Sequence, residues 1–235
     1  MRDRRSTRVK FCGITRPADA STAARLGAAY VGVIFADSPR RVDETAARAV
    51  FEAAGNGVGH VAVFGDGSIE DIAARASEIG ADIVQLHAAS GATAVDELRR
   101  KFRGRIWAVV SVDPHSHSLP PEAGDLAAAA DAVLLDARVG GRSGGTGRTL
   151  HWDALFASVA DLSERTELIL AGGLTPENVA TAIGAMRPDV VDVSSGVESS
   201  PGVKDPQRME AFAEAVRSAS IVGENPALPT SLESE

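Results

Sequence analysis

The strongest constraint on this chain is an alternation. Eight short apolar, β-branched runs each give way to a stretch with helical spacing, and no two runs stand at hairpin distance. The runs fall at 8–12, 29–35, 59–64, 82–87, 105–112, 131–136, 167–171 and 190–195. Helices are predicted near 17–27, 43–54, 90–102, 119–129, 151–162, 175–186 and 206–219, with the 119–129 stretch interrupted by Pro120, Pro121 and Gly124. The clearest helix lies behind Ser68 as N-cap, where Ile69, Ile72, Ala73, Ala76 and Ile79 line one face. Strand then helix, repeated in this way, means a parallel sheet. A doubly wound open sheet would carry the dinucleotide turn G-x-G-x-x-G after its first strand, and here that turn reads FCGITRP. The expected fold is α/β, a single-domain (β/α)₈ TIM barrel over 8–219, with a flexible N-terminal arm at 1–7 and a mobile tail at 220–235.

Composition agrees with one large core. Of the 235 residues 44% are hydrophobic but only 4% aromatic, so Val, Ile and Leu must supply the core volume, which suits a barrel interior. A net charge of −8 opposes nucleic acid and anionic membrane, so the basic start MRDRRSTR reads as a solvated arm. No apolar run reaches the length of a membrane span, and no apolar segment of the secretory type comes after the basic start. One cysteine excludes a disulfide framework, so a reducing cytoplasm is the expected location.

Two segments near the C-terminal end, LILAGGLTPENVATAI (168–183) and VVDVSSGVESSPGVKD (190–205), each run from a buried strand through glycine toward a helix start. Each alone reads equally as an ordinary strand-to-helix turn. Side by side after the last two strands of a barrel, they form the place where a phosphate is held by backbone N–H groups. In the first, Thr175 is a suitable N-cap, Pro176 suits the first helical position and Glu177 opposes the dipole.

Chemistry in such a barrel belongs at the C-terminal ends of strands. Strand one ends in Cys12 and strand six in Asp136. A lone cysteine is often a small core residue, but a carboxylate after AVLL has no structural purpose unless it caps the next segment. Across the mouth, a thiol and a carboxyl can act on opposite ends of one small substrate as base and acid. After strand two, Arg40 and Arg41 are candidates for a forked contact to a substrate carboxylate, or simply surface residues. Lys10 shares parity with Cys12 and points into the barrel if paired with a carboxylate such as Asp192. The loop ARVGGRSGGTGRTL (137–150) reads as a flexible active-site loop. His115 and His117 lack a third ligand at sensible spacing, so no metal is expected.

These residues also resemble the phosphoribosylanthranilate isomerase family of tryptophan biosynthesis. The match rests on KFCGIT (10–15), FADSPRRV (35–42), VQLH (84–87), LLD (134–136), GGTGRTLHW (144–152), AGGLTPENV (171–179) and DVSSGVESSPGVKD (192–205). The resemblance implies a cofactor-free barrel performing an Amadori rearrangement on a phosphosugar, without nucleic-acid or membrane partners. It makes Cys12 the general base, Asp136 the general acid and Arg40 the anthranilate-carboxylate contact, and places phosphate against Gly172, Gly173, Ser195 and Gly196. The chain departs from the family at Ala88, usually glycine, and at His151, usually aspartate. Three alternatives stand beside it. The histidine-pathway isomerase, including its dual-substrate forms, has an aspartate where strand one here ends in Cys12, although Asp113 after strand five suits it. Indoleglycerol phosphate synthase needs strand-end lysines that are scarce here. A silent phosphate-binding barrel would lack Cys12 or Asp136.

Overall fold

The computed structural model describes residues 6–87, 91–113, 116, 118–139, 142–143 and 152–222. Strands β1 (Arg8–Phe11), β2 (Tyr30–Ile34), β3 (Gly59–Phe64), β4 (Ile83–Leu86), β5 (Arg105–Val112), β6 (Ala132–Val139), β7 (Glu167–Leu170) and β8 (Val190–Val193) pair in parallel, each with the next. β8 returns to pair with β1 through Lys10 opposite Asp192, which closes the barrel and rules out the open sheet. Among the described residues the α-helices are α1 (Pro17–Arg25), α2 (Glu44–Ala54), α3 (Ile69–Glu78), α4 (Ala92–Arg99), α5 (Ala123–Ala129), α6 (Trp152–Arg165), α7 (Val179–Met186) and α8 (Pro206–Val222).

Period-two alternation sorts the strand residues into two cores. On β5, Ile106, Ala108 and Val110 pack outward beneath the helices, while Trp107 and Val109 fill the interior with Val61, Val63, Ile83, Leu134, Ile169 and Val190. At the N-terminal floor, Glu167 of β7 accepts hydrogen bonds from both Arg8 of β1 and Arg105 of β5. Arg8 also donates to the Tyr30 hydroxyl at 2.8 Å, and Tyr30 meets Trp107 edge-on with centroids 4.9 Å apart. Three strands are thereby tied by one carboxylate.

Several boundaries differ from expectation. Ser68 caps α3 as predicted, accepting from the Asp71 N–H at 3.1 Å. α5 starts only at Ala123, past the two prolines, and α8 runs on to Val222, past 219. α7 begins at Val179 rather than 175, because Asn178 turns back: its Oδ1 accepts from the Thr175 N–H at 2.8 Å and its Nδ2 donates to the Gly173 carbonyl at 2.9 Å. Such local bonds compete with the helix. After β8 the chain forms a single 3₁₀ turn (Ser195–Val197) and a short antiparallel ribbon (Glu198–Ser200 with Val203–Lys204) before α8. The second glycine segment therefore does not lead straight into a helix. Pro201 and Gly202, the latter at φ +80°, make the ribbon's turn instead. β6 extends to Val139 and pairs with a short return at Arg142–Ser143.

Most of the arm, the tail beyond Val222, most of the loop after β6, and Ala88, His115, His117 and His151 lie outside the described residues. Among the described residues no helix is long and apolar enough to cross a membrane, and no group of three metal-binding side chains occurs.

Candidate active site

β1 and the residue that follows it supply three inward positions in a row, Arg8 at the floor, Lys10 in the middle and Cys12 at the mouth. Lys10 is fully buried, and its Nζ donates to Asp192 Oδ2 and Gln85 Oε1, both at 2.9 Å. The expected partner of Lys10 is therefore present, and Gln85, two residues before His87 on the inward face of β4, is an addition that sequence reasoning missed. Beside them Gly32 of β2 has no side chain. A Cβ there would lie 3.1 Å from both Cys12 Sγ and Lys10 Cε, so the bare backbone makes room for the thiol and the lysine stem together. Burial pushes the Cys12 thiol up from its ordinary value, opposed by the cations Lys10 and Lys204. The Lys10 ammonium, despite its own burial, is held charged by Asp192 and Cys12.

Across the mouth, Asp136 lies in register with Ser111 of β5 and is buried. Among the described residues no hydrogen bond reaches its carboxyl, and the His87 Nε2 stands 3.6 Å from Oδ2, just beyond bonding range. A carboxyl at the barrel mouth that no hydrogen bond among the described residues engages is available as a reagent. His87 carries the same parity as Gln85 in VQLH, a signal by which the sequence could have placed it at the mouth.

Arg40 leans over the end of β1. A Cβ on Gly13, which has φ +66°, would meet Arg40 Cδ at 2.6 Å and Ser194 Oγ at 2.9 Å, so only glycine fits there. The guanidinium is not idle. Its Nε and Nη2 fork onto Glu198 at 2.7 Å each, and Glu198 also accepts from Lys204 Nζ at 2.9 Å. Burial alone would push the Glu198 carboxyl up, but Arg40 and Lys204 outweigh it and hold it below the ordinary carboxylate range. Among the described residues Arg40 Nη1 makes no hydrogen bond, so the Nη1–Nη2 edge still presents a second fork. Glu198 and Lys204 sit in the SSGVESSPGVKD segment, yet nothing in one sequence links them to an arginine 158 positions earlier.

The two glycine turns touch. Gly172 (φ +87°) and Gly173 (φ +68°) adopt left-handed backbone, and a Cβ on Gly196 would fall 1.9 Å from the Leu174 carbonyl oxygen. Gly172, Gly173, Ser195 and Gly196 are partly exposed, and among the described residues none of their N–H groups donates a hydrogen bond. Four donors with no internal partner, gathered on abutting turns at the C-terminal face, make an anion cradle chemically reasonable. Asn178, bonded to the Gly173 carbonyl, holds the first turn in shape.

Comparison with known proteins agrees with this arrangement. The family model described as N-(5'-phosphoribosyl)anthranilate (PRA) isomerase matches residues 9–215. A protein of Haloferax volcanii named N-(5'-phosphoribosyl)anthranilate isomerase is 38% identical over 216 residues, 91% of this chain and 94% of its own length. The crystal structure of phosphoribosyl anthranilate isomerase from Thermus thermophilus is 32% identical, with a TM-score of 0.75 over 90% of this chain and 99% of its own. A further solved isomerase, in complex with reduced 1-(o-carboxyphenylamino)-1-deoxyribulose 5-phosphate, is 30% identical with a TM-score of 0.75 and the same coverage. With a match that runs from β1 through most of α8, the chain belongs to the N-(5'-phosphoribosyl)anthranilate isomerase family.

Proposed function

We propose that this chain converts N-(5-phosphoribosyl)anthranilate to 1-(2-carboxyphenylamino)-1-deoxyribulose 5-phosphate in tryptophan biosynthesis, by general acid–base catalysis. The observation that carries the reading is the pair of unlike groups at the mouth of a family-member barrel, the Cys12 thiol beside two lysines and the Asp136 carboxyl free of hydrogen bonds among the described residues. Asp136 as the acid delivers a proton to the furanose ring oxygen while the bond from that oxygen to the first carbon breaks, leaving a Schiff base. Cys12 as thiolate then removes the proton from the second carbon, and the electron pair passes to the nitrogen to give an enolamine. Tautomerisation moves the enol proton to the first carbon and yields the ketone. The pair ends as carboxylate and thiol, so one proton must pass from Cys12 back to Asp136 before the next turnover.

The burial that raises the thiol makes thiolate a minority form, yet a stronger base than an exposed thiolate once formed. In this reading the second fork of Arg40 takes the anthranilate carboxylate, and the N–H groups of Gly172, Gly173, Ser195 and Gly196 take the phosphate. Both contacts are remote from the bonds that change, and their binding energy orients the sugar between acid and base. The test is direct. Purified protein supplied with phosphoribosylanthranilate formed in situ should abolish its anthranilate-type fluorescence, while the histidine-pathway aminoaldose substrate, assayed in parallel, stays unchanged. Turnover of only the latter would sink the assignment.

A further inference from the structure

Lys10 has no part in the acid–base scheme, yet it is the most deeply buried cation next to the proposed base. We propose that Lys10, pinned by Asp192 and Gln85 beneath the Cys12 thiol, is a positioning residue that stabilises the thiolate form of Cys12. The proposal rests on the reading of Cys12 as the base. Its geometry does not. Residue 10 of β1 and residue 12 just past its end are successive inward positions, and both Lys10 Cε and Cys12 Sγ approach the same missing side chain, 3.1 Å from where a Cβ of Gly32 would stand. An ammonium has three protons. Asp192 and Gln85 accept two of them at 2.9 Å, and the third has no hydrogen-bond acceptor among the described residues, which leaves the ammonium's charge free to act on the neighbouring thiol.

A buried ion pair is poor evidence of a purely structural role, because well-packed apolar side chains of similar volume usually do as well. What an apolar pair cannot do is put a fixed positive charge close to a thiolate in a largely buried setting. Other charges face the thiol from several sides. Asp192 approaches from β8 and is itself influenced by Asp136 of β6, which has His87, just past β4, beside it. Lys204 approaches from the ribbon and Arg40 from the loop after β2. Arg40 and Lys204 share Glu198, which offsets much of their pull, whereas Lys10 exerts the largest electrostatic effect of any neighbour on the thiol. Gln85 adds orientation without charge: its carbonyl accepts from Nζ and holds the ammonium in place.

Cys12 is the chain's one cysteine, so its alkylation by iodoacetamide as a function of pH reads the thiol directly and needs no turnover. In full-length protein, Lys10→Gln should move that titration up by at least about one pH unit, and Asp192→Asn should move it down. The acid limb of kcat/KM should track the thiol, so that Lys10→Gln loses at least about 10-fold at pH 7 and regains activity as pH rises. A residue that merely packs would lower activity equally at every pH and leave the alkylation curve in place. An unshifted curve in folded Lys10→Gln, or a shift of the same sign in both variants, overturns the proposal. Should Lys10→Gln fail to fold, the charge-matched Lys10→Met/Asp192→Asn protein decides in its place, with a smaller upward shift expected and none overturning it. Activity retained by Cys12→Ala would instead overturn the assignment of the base, a result the alkylation experiment cannot mimic.

Discussion

The two ends of this barrel treat charge in opposite ways. At the floor, Glu167 accepts from Arg8 and Arg105, Arg8 also serves Tyr30, and each group has a partner that restrains it. At the mouth, Asp136 has no hydrogen bond among the described residues, Arg40 keeps one edge of its guanidinium open, and four N–H groups on the glycine turns find no internal acceptor there. One kind of polar cluster is saturated and the other is left short of partners. Saturation serves stability, whereas unmet hydrogen-bonding capacity is what a substrate can meet.

Substitutions can break that contrast or sharpen it. The largest effect belongs to the acid–base pair. Asp136→Asn should remove nearly all turnover, and Cys12→Ser should cost at least about 10²-fold in kcat/KM, with melting temperatures close to the parent protein. A large loss of Tm without loss of specific activity would move these residues into the structural class. Next comes Gly173→Val, which puts a β-branched residue at φ +68° on the edge of the anion cradle. It should weaken inhibition by inorganic phosphate and raise KM by about 10-fold or more. A phosphate soak that finds the anion elsewhere on the barrel would remove the cradle altogether.

Arg40→Lys should raise KM more than it lowers kcat, because an ammonium cannot fork onto Glu198 and a substrate carboxylate at once. The neighbouring Arg41→Lys should have less effect, and the reverse order would put the carboxylate contact one residue later. Glu198→Gln should act in the same direction as Arg40→Lys but more weakly, and it carries a pH signature. The folded carboxyl titrates lower than it would in the unfolded chain, so its stabilisation is complete above the ordinary carboxylate range and fades as pH falls through the folded value. The Tm gap between wild type and Glu198→Gln should therefore narrow in acid. The smallest effect on catalysis is expected at the floor. Glu167→Gln should leave kcat/KM unchanged while lowering stability by about 1 to 3 kcal/mol, measured by denaturant unfolding.

Much of this was legible in the chain because strands in a barrel obey two short rules. Apolar runs gave the eight strands to within a residue or two at most ends and set Cys12 at the end of the first, and parity pointed Lys10 inward, where Asp192 meets it. What escaped was what depends on side chains reaching between distant segments. Thr175, Pro176 and Glu177 have every local qualification for a helix start, and Asn178 defeats them by bonding back to Gly173 and Thr175. Arg40 looked like a free cation because its partner Glu198 lies on the far side of the sequence, in a ribbon that glycine and proline disguise as a loop. Gly32 gave no sign of its importance, since a glycine inside a strand reads equally as a bulge.

The closure of β8 onto β1 also has a consequence in time. Lys10 and Cys12 are made well before Asp192, Glu198 and Lys204, with 182 positions separating Lys10 from its carboxylate. At roughly 5 to 20 residues per second the interval is on the order of ten to forty seconds. Throughout it the nascent chain carries a lysine without its counter-ion and an arginine without its anchor. Catalytic competence therefore waits until the ribbon has been made, and any chain released before then holds the thiol and Lys10 but not the carboxylates that fix the lysine and Arg40 in place.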